Sequence, residues 1–174
     1  MFSRTAGLLL ALFLVVATAR AEPITHREVL AAIAVLEKDV TSSDALDAAT
    51  TVARFGKESD DVIITVGEET LPWIKVDVPE AEAKIRALLM AAYFAGDIKS
   101  QLRKHQAVDD PYSGWLSVIR AYRQILKKQP DMVIPEVDEL VKKEKAGTLK
   151  DEADELLRQQ KKDQEHEHRP TNMV

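Results

Sequence analysis

Cysteine is absent from all 174 residues, so no disulfide can staple the fold, no thiolate can act as nucleophile or zinc ligand, and no lipid can attach through sulfur. Glycine is scarce as well. The six glycines are scattered singly and cannot assemble a dinucleotide fingerprint or a P-loop, both of which cluster glycines where backbone N–H groups approach phosphate. No Gly-x-Ser-x-Gly elbow, Ser-x-x-Lys pair or His-Glu-x-x-His helix occurs, which leaves the common hydrolase nucleophiles and zinc-protease ligands without a carrier. A cationic excess is missing too. Against 24 Lys and Arg stand 29 Asp and Glu, a net charge of −5, poorly suited to phosphate backbones or anionic lipid unless basic residues gather locally.

Long apolar runs are confined to the first 21 residues. Arg4 gives a positive start, Leu8 to Ala19 is nearly unbroken apolar sequence, and Ala19-Arg20-Ala21 places small side chains where a signal peptidase reads them. About a dozen apolar residues span about 18 Å as a helix, short of a hydrocarbon core about 30 Å thick. The segment therefore reads as a secretory signal peptide, and no stable membrane span is expected once it is cleaved. Removing it takes away Arg4 and Arg20 and no acid, so the mature chain from Glu22 carries 22 basic and 29 acidic residues, a net −7. The expected location is exported, periplasmic or extracellular.

What remains is dominated by helical periodicity. Thr25-His26-Arg27-Glu28 is a capping box, after which Val29, Ile33, Leu36 and Val40 share one face. Ser43 or Asp44 caps a second helix that would bury Leu46, Ala49, Val52 and Phe55 and stop at Gly56. Asp77, Pro79 and Glu80 start a third, with Ile85, Leu88, Leu89, Ala92 and Tyr93 on its inner stripe and a break expected at Gly96-Asp97. Asp110-Pro111 starts the next, where Trp115, Ile119, Tyr122 and Leu126 align and Arg120, Arg123, Lys127 and Lys128 lie away from the stripe until Pro130 ends it. Pro135 and Thr148 open the last two, divided by Gly147. Between the second and third, Val62-Ile63-Ile64-Thr65-Val66 is β-branched, and Ile74, Val76 and Val78 alternate with Trp73, Lys75 and Asp77. This pattern predicts a small β-hairpin over about 62–78, with a helical or irregular connector as the alternative. The fold class is thus mainly α, a bundle or hairpin array of five to seven short helices. It comprises a signal peptide over 1–21, one helical domain over 22–160, and a polar tail over 161–174 that has little to bury.

Two segments resemble parts of tetratricopeptide repeats. Ala92-Tyr93-Phe94-Ala95-Gly96-Asp97-Ile98 is similar to the turn between the paired helices of a repeat. Ala121 to Asp131, with Tyr122 and Pro130, is similar to a second helix ending in its proline. The two tyrosines are 29 positions apart, against about 34 in a repeat, and Ile125 or Val118 stands where the family places a small residue. The resemblance covers about a quarter of the chain and implies a helical surface that binds a protein or peptide.

Chemistry-bearing residues are few. His105 with Asp109 and Asp110 is the nearest approach to an acid/base cluster, although Asp110 as a helix cap and Asp109 in a turn account for both carboxylates without catalysis. Asp60-Asp61 and Glu68-Glu69 read as solvated loop carboxylates. His166 and His168 alternate with acids in the tail and would face one side if extended, a weak metal-binding pattern. Trp115 and Tyr122 fall at core spacing, and Tyr112 at an exposed helix start. The expected function is a non-enzymatic binding protein without a cofactor. Its partner would be a protein or peptide and not nucleic acid, engaged through a loop surface comprising His105, Asp109, Asp110, Tyr112 and Trp115. The alternatives are a hydrolase-like enzyme using His105, Asp109 and Asp110, and a small-ligand or metal carrier.

Overall fold

A computed structural model describes residues 22–75 and 77–167, side chains of 164–167 excepted. The leader, Val76, His168 and the residues after it lie outside the described residues, as does the side chain of His166. Among the described residues six helices follow one another: α1 (His26–Lys38), α2 (Ala45–Glu58), α3 (Glu80–Lys104), α4 (Pro111–Lys128), α5 (Pro135–Ala146) and α6 (Leu149–Glu167). The mainly α class holds.

α1 begins as its capping box dictates. Glu28 accepts the Thr25 amide at 2.8 Å while the Thr25 hydroxyl accepts the Glu28 amide at 3.3 Å, and Val29, Ile33, Leu36 and Val40 are all buried. α3 is the hub, packed against α1, α2 and α4, while α5 and α6 close on the far side of α4. α3 and α4 run antiparallel, since Tyr93 meets Gly114, Gly96 meets Ser113, and Ser100 meets Asp110 as one helix ascends and the other descends.

The expected break at Gly96-Asp97 does not occur. α3 is continuous through both residues, and the glycine serves its crossing with α4. A Cβ at Gly96 would lie 2.3 Å from the Ser113 carbonyl oxygen, and one at Gly114 would lie 2.5 Å from the Tyr93 ring. Both glycines are therefore where the helices come closest, and the modest cost of glycine inside a helix is outweighed by that packing. Gly56 likewise lies within α2 and does not end it; Ile64 of the following connector sits over it. On the same helix, Leu46 is 70% exposed, and Ala45 and Ala48 occupy the inner face instead, while Leu88 on α3 is half-buried beside fully buried Leu89.

No β-hairpin forms over 62–78, and no strand occurs among the described residues. Helix side chains take the place of a partner strand. Gln101 of α3 bonds both the amide and the carbonyl of Ile63, and Asp109 accepts the Thr65 amide at 3.2 Å. Trp115 of α4 donates its indole N–H to the Thr70 carbonyl at 2.8 Å, and the buried Arg86 guanidinium reaches the Trp73 carbonyl. Val62, Leu71 and Trp73 turn into the core, so an irregular connector satisfies its backbone and buries its apolar residues without a ladder.

Candidate functional site

The five residues expected to share one surface are divided among three environments. His105 ends α3 in the left-handed region (φ 52°) and is exposed; no hydrogen bond joins its ring to Asp109 or Asp110. It borders a shallow groove of about 320 Å³ that also holds His26, Asp60 and Asp61, of which His26 and Asp61 are paired at 2.7 Å. Trp115 and Asp109 are buried, Asp110 half-buried, and Tyr112 half-buried near Lys150. Asp110 caps α4 through the Ser113 amide at 3.0 Å and accepts from Ser100 and Lys104, both at 2.6 Å. Burial alone would raise its pKa, but the bonds from Lys104, Ser100 and Ser113 outweigh that and hold it at about 2.

Behind this turn lies a polar cluster that sequence reasoning missed. Asp97, fully buried on α3, accepts the Gln101 side-chain amide at 2.7 Å and the Asp110 backbone N–H at 2.9 Å. Burial first, then a hydrogen bond with Asp109, pushes its pKa up to about 8. Asp97 Oδ2 and Asp109 Oδ1 are both buried without another hydrogen-bond partner, and a proton held on Asp97 would let the two carboxyl groups bond to each other. Tyr93 lies alongside, its phenol pKa raised by burial and then by Asp109 and Asp97. The legible signal was an Asp and a Gln one turn apart on the apolar side of a helix. Their reach is structural, joining α3, the turn before α4 and the connector.

A concave surface forms elsewhere, between α1, α3 and α4. It is a groove of about 480 Å³, within the range that accommodates ligand groups. Its floor is built from the small side chains Ala92, Ala95, Ser117 and Ala121 together with Leu36, all of them buried. Along the α4 wall stand Arg120, Arg123 and Lys127, at spacings of three and four that put them on one helix face. Arg123 pairs with Glu144. Arg120 and Lys127 have no carboxylate within ion-pair distance among the described residues, and on the opposite wall Glu37 is already neutralised by Lys99 at 2.6 Å. The sequence places these cations off the apolar stripe of α4 but does not indicate that a groove opens beside them. That depends on small residues from two helices meeting.

Among the described residues no group of three or more His, Asp or Glu side chains is arranged to hold a metal ion, and no helix is long and apolar enough to cross a membrane. The chain matches no family model, no curated protein and no solved structure.

Proposed function

We propose that the protein is an exported, non-enzymatic binding module that engages a protein or peptide partner through the groove between α1, α3 and α4. The observation that carries this is the groove itself, a concave surface whose α4 wall carries two exposed cations with no carboxylate partner among the described residues. A concave surface bearing charged groups that are free to pair gives a partner both shape and electrostatic complementarity to match. The signal-peptide pattern of residues 1–21 supports export. The hydrolase-like alternative is less well supported, because Asp109 and Asp110 are committed to the connector and the α4 cap while His105 stands apart from both. The metal-carrier alternative would rest on His166 and His168, which lie outside the described side chains.

The test is affinity capture from the exported fraction with the protein as bait, and with an Arg120→Glu, Lys127→Glu variant as control. Both side chains are exposed, so the control should keep the fold. A species retained by the bait and lost by the folded control is the expected result. Equal retention by both removes the groove from the proposal. Mass spectrometry of the same protein should find its N-terminus at Glu22, and an intact Met1 would overturn export by cleavage.

A further inference from the structure

We infer that the outer edge of the 62–66 connector takes an added β-strand, and that this strand is an extended peptide with an apolar centre and basic ends. Gln101 bonds both the N–H and the C=O of Ile63. In extended backbone those two groups of one residue point the same way, whereas in a helical turn they point oppositely, so a single side-chain amide reaches both only where the chain is extended. Two positions on, Thr65 also turns its N–H inward, to Asp109. With that period of two, the N–H groups of Ile64 and Val66 face the other way, and neither has a hydrogen-bond partner among the described residues. The segment rests on the protein through buried Val62 and through Ile64, which sits over Gly56, while Ile63 and Val66 are 54% and 59% exposed. A Cβ built at Gly67 would meet nothing within 4 Å, so the space beside the end of the segment is open. A β-branched edge without charge or proline from Val62 to Gly67 is a template for main-chain pairing.

Charge selects the occupant. Asp60 and Asp61 precede the segment, Glu68 and Glu69 follow it, and all four are exposed. Asp61 is paired with His26; Asp60, Glu68 and Glu69 have no ion-pair partner among the described residues. A second copy of this chain is disfavoured. Antiparallel self-pairing centred on Ile64 would set Asp60 against Glu68, and parallel in-register pairing would set each acid against itself. A nucleic acid meets the same carboxylates and brings no strand edge. An extended peptide with Lys or Arg at both ends meets an acidic pair at each, and β-branched residues between them pair across the edge with Ile63 and Val66. This edge shares no residue with the groove between α1, α3 and α4, so the two readings stand or fall separately.

The experiment records backbone amide NMR shifts and hydrogen exchange of the protein during titration with synthetic peptides. One peptide alternates Val and Thr between terminal pairs of Lys. A second carries Glu in place of Lys, and a third keeps the Lys pairs but has proline at its centre. The Lys peptide should slow exchange of the Ile64 and Val66 amides and bind about tenfold more tightly than the Glu peptide, and the proline peptide should not protect them. Asp60→Asn with Glu68→Gln and Glu69→Gln, all exposed, should remove most of the preference for Lys while the helix amide shifts stay in place. Unchanged exchange at Ile64 and Val66, or equal protection by the proline peptide, would overturn strand addition. Equal affinity for the Lys and Glu peptides would overturn the basic specificity. Protection that grows with protein concentration in the absence of peptide would assign the edge to a second copy and overturn the proposed occupant.

Discussion

Gln101 satisfies both backbone groups of Ile63, donating its side-chain amide to the carbonyl at 2.6 Å and accepting the backbone N–H at 3.0 Å. One side chain on α3 thereby performs the pairing that a neighbouring strand would supply, across 38 positions of sequence. The same Gln101 amide donates to Asp97, so the connector and the buried acid pair are parts of one network.

Replacing Gln101 with Ala should release the connector before it unfolds the protein. Three hydrogen bonds are lost, a cost of about 2 to 3 kcal/mol in denaturant unfolding, with faster amide exchange at Ile63 and Thr65 than in the helices. Unchanged exchange at both amides would show that Gln101 does not hold the segment.

Stability should fall as pH rises from about 4 to about 8. The folded state keeps a proton on Asp97 that the unfolded chain releases near 3.8, so the native form binds more protons throughout that interval. The contribution is complete below the unfolded pKa and lost as pH climbs through the folded one, with a slope of at most about 1.4 kcal/mol per pH unit. Asp97→Asn should flatten urea midpoints across this range, and a retained slope would assign it elsewhere. Asp110 has the opposite sign. Its depressed pKa gives stability present above 3.8 and lost on acidification toward about 2, a loss that Asp110→Asn should remove.

The glycines should separate by what a methyl group would meet. Gly96→Ala drives into the Ser113 backbone and Gly114→Ala into the Tyr93 ring, so each should cost about 1 to 3 kcal/mol despite the better helix propensity of alanine. At Gly56 the obstacle is the tip of Ile64, which can swing aside. That substitution should be neutral or stabilising by up to about 1 kcal/mol in thermal melts. Equal effects at all three positions would contradict the close α3–α4 crossing.

The core substitutions discriminate the inner stripe from its neighbours. Leu89→Ala should cost about 2 to 5 kcal/mol through cavity formation, whereas Leu46→Ala on the exposed side of α2 should stay within about 0.5 kcal/mol. Tyr122→Phe should cost about 1 to 3 kcal/mol without any cavity, because the Tyr122 hydroxyl accepts the buried Ile134 amide at 2.9 Å. A Tyr122→Phe melt coincident with the parent would mean that this amide finds another acceptor.

The sequence by itself determined where helices begin and which faces they bury, because both are written within a few residues. The Thr25 capping box, the Asp110-Pro111 start, the left-handed Gly147 and the stripe from Trp115 to Tyr122 each depend on neighbours within about two turns. Tertiary structure alone decided the rest. A β-branched run at 62–66 has the composition of a strand, yet a strand needs a partner, and here the partners are Gln101 and Asp109, more than 35 positions away. Gly96 looks like a break until the Ser113 backbone lies against it, and the groove forms where α1, α3 and α4 bring residues from far along the chain together. Local periodicity encodes the direction in which a side chain points, while what it meets there is set by chain that arrives from far along the sequence.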